Sequence, residues 1–166
     1  MEHFPLYQPA DAPHDNRWRL VTDQVMGGRS QAQMQSDDTG LHLTGHVSLD
    51  NNGGFVQVQW PLKGIASLAS YTGLYIDACS PEAVSVDWVL KSSQLWLPWQ
   101  SYRQTMTVET AWQRFYAPFS EFEPYRTKTR LKLERVTKCS LLIGGEALDV
   151  SLRVKAMGLY CSSPGD

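Results

Sequence analysis

A chain of 166 residues, 42% hydrophobic and 19% charged, is the size of one domain and can hold a core without disulfides or metal. That balance excludes a disordered segment, and a formal net charge of -2 supplies no global field for nucleic acid or an anionic membrane. Aromatic residues are the compositional departure, at 11% with six Trp, seven Tyr and five Phe.

Residues 1–16 carry three prolines and no periodicity, and read as a lead-in arm. Met1 to Tyr7 lack the basic and apolar regions of a secretory signal, and the arm is not the arginine-rich helix of a transit peptide. No apolar stretch approaches the ~20 residues of a membrane-spanning helix. Cys79, Cys139 and Cys161 are odd in number and share no metal-ligand spacing, so reduced thiols in a cytoplasmic protein are expected. No pattern calls for a metal or a cofactor.

From Trp18 onward the period is two. Leu41 to Leu49 places apolar residues or glycine at odd positions and polar ones at even positions, the mark of a half-buried strand. Val56-Val58-Trp60, Leu74-Ile76-Ala78, Val84 to Leu90, Met106-Val108, Leu141 to Ile143 and Val150 to Ala156 supply further strands. Only Ile65 to Tyr71 reads as a short helix. Evenly spaced short strands between Gly, Pro, Asn and Asp clusters predict an all-β, two-sheet antiparallel sandwich of jelly-roll type over 17–161, with 162–166 as a tail. Trp18, Phe55, Trp60, Trp88 and Trp112 are expected in its core.

Two glycine pairs, in Met26-Gly27-Gly28-Arg29-Ser30 and in Asn51-Asn52-Gly53-Gly54-Phe55, mark backbone that needs positive φ or close approach. A hairpin folded about Asp38-Thr39 sets Ser30 opposite Val47 and Gly27 opposite Asp50. Both pairs then emerge at one end of a sheet, with Asp23, Arg29, Ser30, Asp50 and Asn51 beside them. Asp23 is expected to accept backbone N–H bonds there, with Arg29 or Asn51 facing a partner; the alternative is that both pairs merely serve turns.

Trp18, Val21-x-Asp23-x-Val25-Met26-Gly27-Gly28-x-Ser30, Gly45-x-Val47-Ser48 and Asn52-Gly53-Gly54-Phe55 together resemble the signature of the complex I intermediate-associated protein 30 family. Tyr71 to Ile76 and the Trp112 to Pro124 segment continue the match more loosely. The resemblance implies a galactose-binding-like jelly roll and a non-catalytic role, since mitochondrial members assist assembly of NADH:ubiquinone oxidoreductase. A protein partner, a respiratory-complex subunit or another assembly factor, is the corresponding expectation.

Other patterns are weaker. Gly28-Arg29-Ser30-Gln31-Ala32 approaches a nucleophile elbow, but a polar period-two segment follows where a helix is needed, so a hydrolase is not expected. His42 and His46 are four apart on a strand, about 13 Å, too far for one metal ion. Asp50-Asn51-Asn52-Gly53 lacks the glutamate of a calcium loop. Trp96, Trp99 and Tyr102 offer an alternative function, stacking on a carbohydrate, but large aromatics are mostly buried and Trp96 and Trp99 are expected to plug the core rim. Arg126, Lys128, Arg130 and Lys132 alternate with Thr127, Thr129 and Leu131, and read as an edge strand guarded by charge or a stripe for an anion or acidic partner. No aromatics interleave with these cations, so no nucleic-acid partner is expected.

Overall fold

The computed structural model describes residues 1–8, 17–62, 64–65 and 67–162. Among the described residues, alternating apolar positions fold into twelve strands: β1 (Glu2–Tyr7), β2 (Arg19–Thr22), β3 (Gln31–Asp37), β4 (Gly40–Val47), β5 (Phe55–Pro61), β6 (Gly73–Cys79), β7 (Val84–Ser92), β8 (Ser101–Val108), β9 (Gln113–Pro118), β10 (Glu123–Tyr125), β11 (Val136–Gly144) and β12 (Leu148–Cys161). One antiparallel sheet runs β3-β4-β12-β6-β9, with β1 also paired to β12; the other runs β10-β8-β7-β11-β5-β2. The inward side chains of both sheets, among them Leu41, Leu43, Val58, Trp88, Leu90, Leu141, Ile143 and Leu152, form one buried core. Tyr7, Trp18 and Trp60 meet edge-to-face within it, with ring centroids 5.1–5.8 Å apart.

The β3–β4 hairpin has the expected register: Asp37 faces Gly40, and Gln31 faces His46. Its regular part ends at Val47, so Leu49 belongs to the following turn and is exposed rather than inward. In β12 the inward phase shifts after Val154, because a bulge between Val154 and Ala156 moves it to Met157 and Leu159.

Several expectations need correction. The described part of the expected arm is mostly strand: β1 pairs with the end of β12, and Pro5 adjoins an irregularity where the missing N–H is tolerated. Residues 9–16 and 163–166 lie outside the described residues. The expected helix at 65–71 is reduced to a 3-10 turn, Leu68–Ser70; residue 66 lies outside the described residues. The 126–132 segment forms neither a strand nor a guarded edge. It passes irregularly across the end of the second sheet, with Leu131 and Leu133 against the core and the four cations exposed. Trp112 is 43% exposed, lying under the Lys155 ammonium at 4.7 Å from its ring centroid. Because an exposed cation–π pair contributes only about 0.5–1 kcal/mol, Trp112→Ser is expected to lower stability by no more than about 1 kcal/mol in denaturant unfolding.

Candidate functional site

Both glycine loops meet at one end of the sandwich, and a buried carboxylate joins them. β2 ends in the 3-10 turn Asp23–Met26, whose first amides are served by the Thr22 hydroxyl, which accepts from Gln24 N–H at 3.2 Å. Gly27 closes the turn at φ 85, a left-handed conformation suited to glycine. This geometry directs Asp23 inward with no exposed surface. Its Oδ1 accepts the Ser30 amide at 2.9 Å; its Oδ2 accepts the amides of Gly54 at 2.6 Å and Phe55 at 3.1 Å, and the Ser30 hydroxyl. Ser30 Oγ in turn accepts the Ser48 amide at 2.9 Å. One carboxylate therefore links the ends of β2 and β5 in one sheet to those of β3 and β4 in the other.

Each glycine pair has one residue pressed against this group. A Cβ on Gly28 would lie 2.5 Å from Asp23 Cγ, and one on Gly53 would lie 2.7 Å from Asp23 Oδ2. The pairs are thus more than turns: they let backbone close on the carboxylate from two sides. Desolvation pushes the Asp23 carboxyl up, but the Ser30 hydroxyl and the amides of Gly54, Ser30 and Phe55 outweigh it and hold the pKa below the ordinary carboxylate value.

This frame presents three apolar side chains outward. Val25 is 73% exposed, Met26 61% and Leu49 49%. Arg29, Asp50, Asn51 and Asn52 are exposed beside them, and Asn51 Nδ2 of the side chain donates to Gly27 O at 3.3 Å, joining the loops at the surface. Phe55 is half-buried. The Gly145 amide donates to Gly54 O at 3.0 Å, bringing in the turn after β11.

Among the described residues no group of three His, Cys, Asp or Glu side chains could hold a metal ion. Ser30 is buried, and strand rather than helix follows it. A concavity of about 420 Å³ beside this end is lined by Gln24, Gln31, Ala32, Gln33, Thr44, Gly45 and His46.

The sequence matches the family described as Complex I intermediate-associated protein 30 over residues 7–154. The chain belongs to that family. A search of curated proteins finds no match. Among solved structures, it is similar to the family 11 carbohydrate-binding module of the cellulosomal cellulase Lic26A-Cel5E of Clostridium thermocellum, with TM-score 0.73 and 14% identity over 98% of this chain and 96% of that one. A family 11 module from the same organism, in complex with a beta-1,3-1,4-mixed-linked tetrasaccharide, gives TM-score 0.70 and 14% identity over 89% and 91%. The agarase AgWH50C aligns over 98% of this chain and 25% of its own, with TM-score 0.66 and 12% identity. These likenesses show the fold, a two-sheet β-sandwich, alone.

For this family member, the expected Trp96–Trp99–Tyr102 group is divided. Trp96 is 93% exposed and Trp99 51%, which corrects the expectation that they plug the core rim. Tyr102 is fully buried, and its hydroxyl donates to Thr129 O at 2.9 Å, so it cannot stack on a ligand with the other two. Lys91 was missed in the sequence: its ammonium donates to Pro98 O at 2.6 Å and Gln100 O at 2.5 Å, fastening the 93–100 loop. Burial, then Arg103 and Lys138, lower its pKa to about 8. Lys91→Met is expected to speed proteolytic cleavage within 93–100 several-fold, measured in timed digests.

Val25 and Leu49 were also missed. Val25 follows a polar residue in a short turn, and Leu49 has the parity of an inward strand residue. Their exposure follows only from where β2 and β4 end.

Proposed function

We propose that the chain is a non-enzymatic docking domain that holds a protein partner at its glycine-loop end. The partner is a subunit or partly built form of NADH:ubiquinone oxidoreductase. The carrying observation is the exposed Val25, Met26 and Leu49 side chains, held on a frame tied by buried Asp23. Exposed apolar groups on a prearranged surface favour a protein contact, because little ordering entropy remains to be lost on binding. Family membership supports this class of partner.

Affinity capture from the native organism tests the reading with Val25→Ser/Met26→Ser/Leu49→Ser. These residues are exposed, so the variant should melt within a few degrees of the parent. Capture of complex subunits should fall about tenfold or more; equal capture by the folded variant contradicts the proposal.

The second reading is a carbohydrate-binding module, favoured by the exposed rings of Trp96 and Trp99. It predicts saturable heat on titration with a mixed-linked glucan tetrasaccharide, abolished by Trp99→Ala. No heat in the parent refutes it.

A further inference from the structure

The end of the sandwich opposite the glycine loops is built differently. There β7 ends at Ser92 and β8 begins at Ser101, β10 ends at Tyr125 paired with Ser101, and β11 begins at Val136 paired with Ser92. The 126–135 strap must therefore cross this end from β10 past β8 and β7 to β11. Two bonds fix its course: Tyr102 Oη to Thr129 O at 2.9 Å, and Ser93 N–H to Arg135 O at 2.9 Å. The 93–100 loop emerges from the same end. The glycine loops flank the opposite ends of these strands, where Phe55 pairs with Gly144.

Two features coincide here. The first is an apolar tip, Trp96, Leu97 and Trp99, all exposed while Leu95 of the same loop packs on the core. Its exposure is structurally maintained: Lys91 holds two of its carbonyls, and the Leu97 amide donates to Gln100 Oε1 at 3.2 Å. The second is charge. Arg126, Lys128, Arg130, Lys132 and Arg135 are exposed along the strap, with Glu134 its only carboxylate. A net charge of -2 for the whole chain thus conceals a strongly cationic end.

We infer that this end docks on an anionic lipid surface, with Trp96, Leu97 and Trp99 entering the headgroup boundary and the strap cations lying against lipid phosphates. Tryptophan is suited to that boundary because its ring is apolar and its N–H is polar. Apolar insertion and basic charge act together in interfacial binding. Neutral sugar would use the rings but leave five cations without a role. Among the described residues no helix is long and apolar enough to cross a membrane, so attachment here is to the surface. The protein-docking end then points away from the lipid.

Flotation with vesicles tests this, using pure phosphatidylcholine and the same lipid with about one third phosphatidylglycerol. The full chain should float with the anionic vesicles only, shift its tryptophan emission to the blue, and be released by added salt. Arg126→Gln/Lys128→Gln/Arg130→Gln/Lys132→Gln should weaken binding by about fivefold per charge. Trp96→Ser/Trp99→Ser should remove the emission shift and most of the binding. Both variants change exposed residues, and unchanged melting establishes that each is folded. Absence of flotation in the parent, or equal flotation of both folded variants, overturns the inference. So does saturable binding of the glucan tetrasaccharide at Trp96 and Trp99 without lipid binding. Neither variant touches the glycine-loop end, so partner capture is read separately.

Discussion

Asp23→Ala should lower stability by about 3–5 kcal/mol, because each buried group left without a partner costs about 1–3 kcal/mol. The variant leaves the amides of Ser30, Gly54 and Phe55 and the Ser30 hydroxyl without their shared acceptor. In a chain of 166 residues that loss corresponds to about 6–20 °C in Tm. Asp23→Asn should cost less, roughly 1–3 kcal/mol, because its oxygen can retain the donors to Oδ2 while its NH2 faces the Ser30 amide. The native contribution also depends on pH. The folded pKa is lowered, so the carboxylate stabilises the fold above the unfolded value of about 4 and loses that effect as pH falls through the folded pKa. Thermal melts between neutral and acid pH should therefore show a steeper acid loss for the parent than for Asp23→Asn. Parallel curves would show that the charge on Asp23 does not stabilise the fold.

Gly28→Ala should cost about 1–3 kcal/mol in the parent and distinctly less in the Asp23→Ala background, where of the near atoms only the Cβ at position 23, 2.8 Å away, still opposes the new methyl. The added Cβ would meet Asp23 Cγ at 2.5 Å, and Gly28 does not hold a positive φ. The penalty is therefore steric and has one named opponent. Gly53→Ala should be relieved less by removing Asp23, since its Cβ would meet the Asp50 carbonyl oxygen at 3.0 Å as well as Asp23 Oδ2 at 2.7 Å, while φ is an ordinary -77°. Gly27→Ala differs: nothing lies within 4 Å of its Cβ, but φ is 85, so its cost should persist without Asp23. A double-mutant cycle in urea distinguishes the two behaviours.

The hairpin that brings the two loops together was legible in the sequence because alternation and the Asp38-Thr39 turn leave one register with an apolar inner face. Asp23 was legible as a brace, since a lone carboxylate between a strand and paired glycines has backbone amides as its natural donors. That both glycine pairs close on the same carboxylate was not, because it depends on the ends of four strands from two sheets. Trp96 and Trp112 were misjudged for a common reason: aromatic character favours burial on average, whereas loop position decides individual rings. The 126–132 alternation resembles a strand because Leu131 and Leu133 turn inward while the cations face out. A strap draped over a sheet end produces that period without a ladder partner.

If the glycine-loop end docks a protein, a benzophenone side chain placed at Met26 in living cells should capture it, with exposed Ser93 at the opposite end of the sandwich as the control position. Irradiation should attach position 26, and not position 93, to a subunit of NADH:ubiquinone oxidoreductase identified by mass spectrometry. No protein adduct from position 26, or the same adducts from position 93, would contradict docking at the glycine loops.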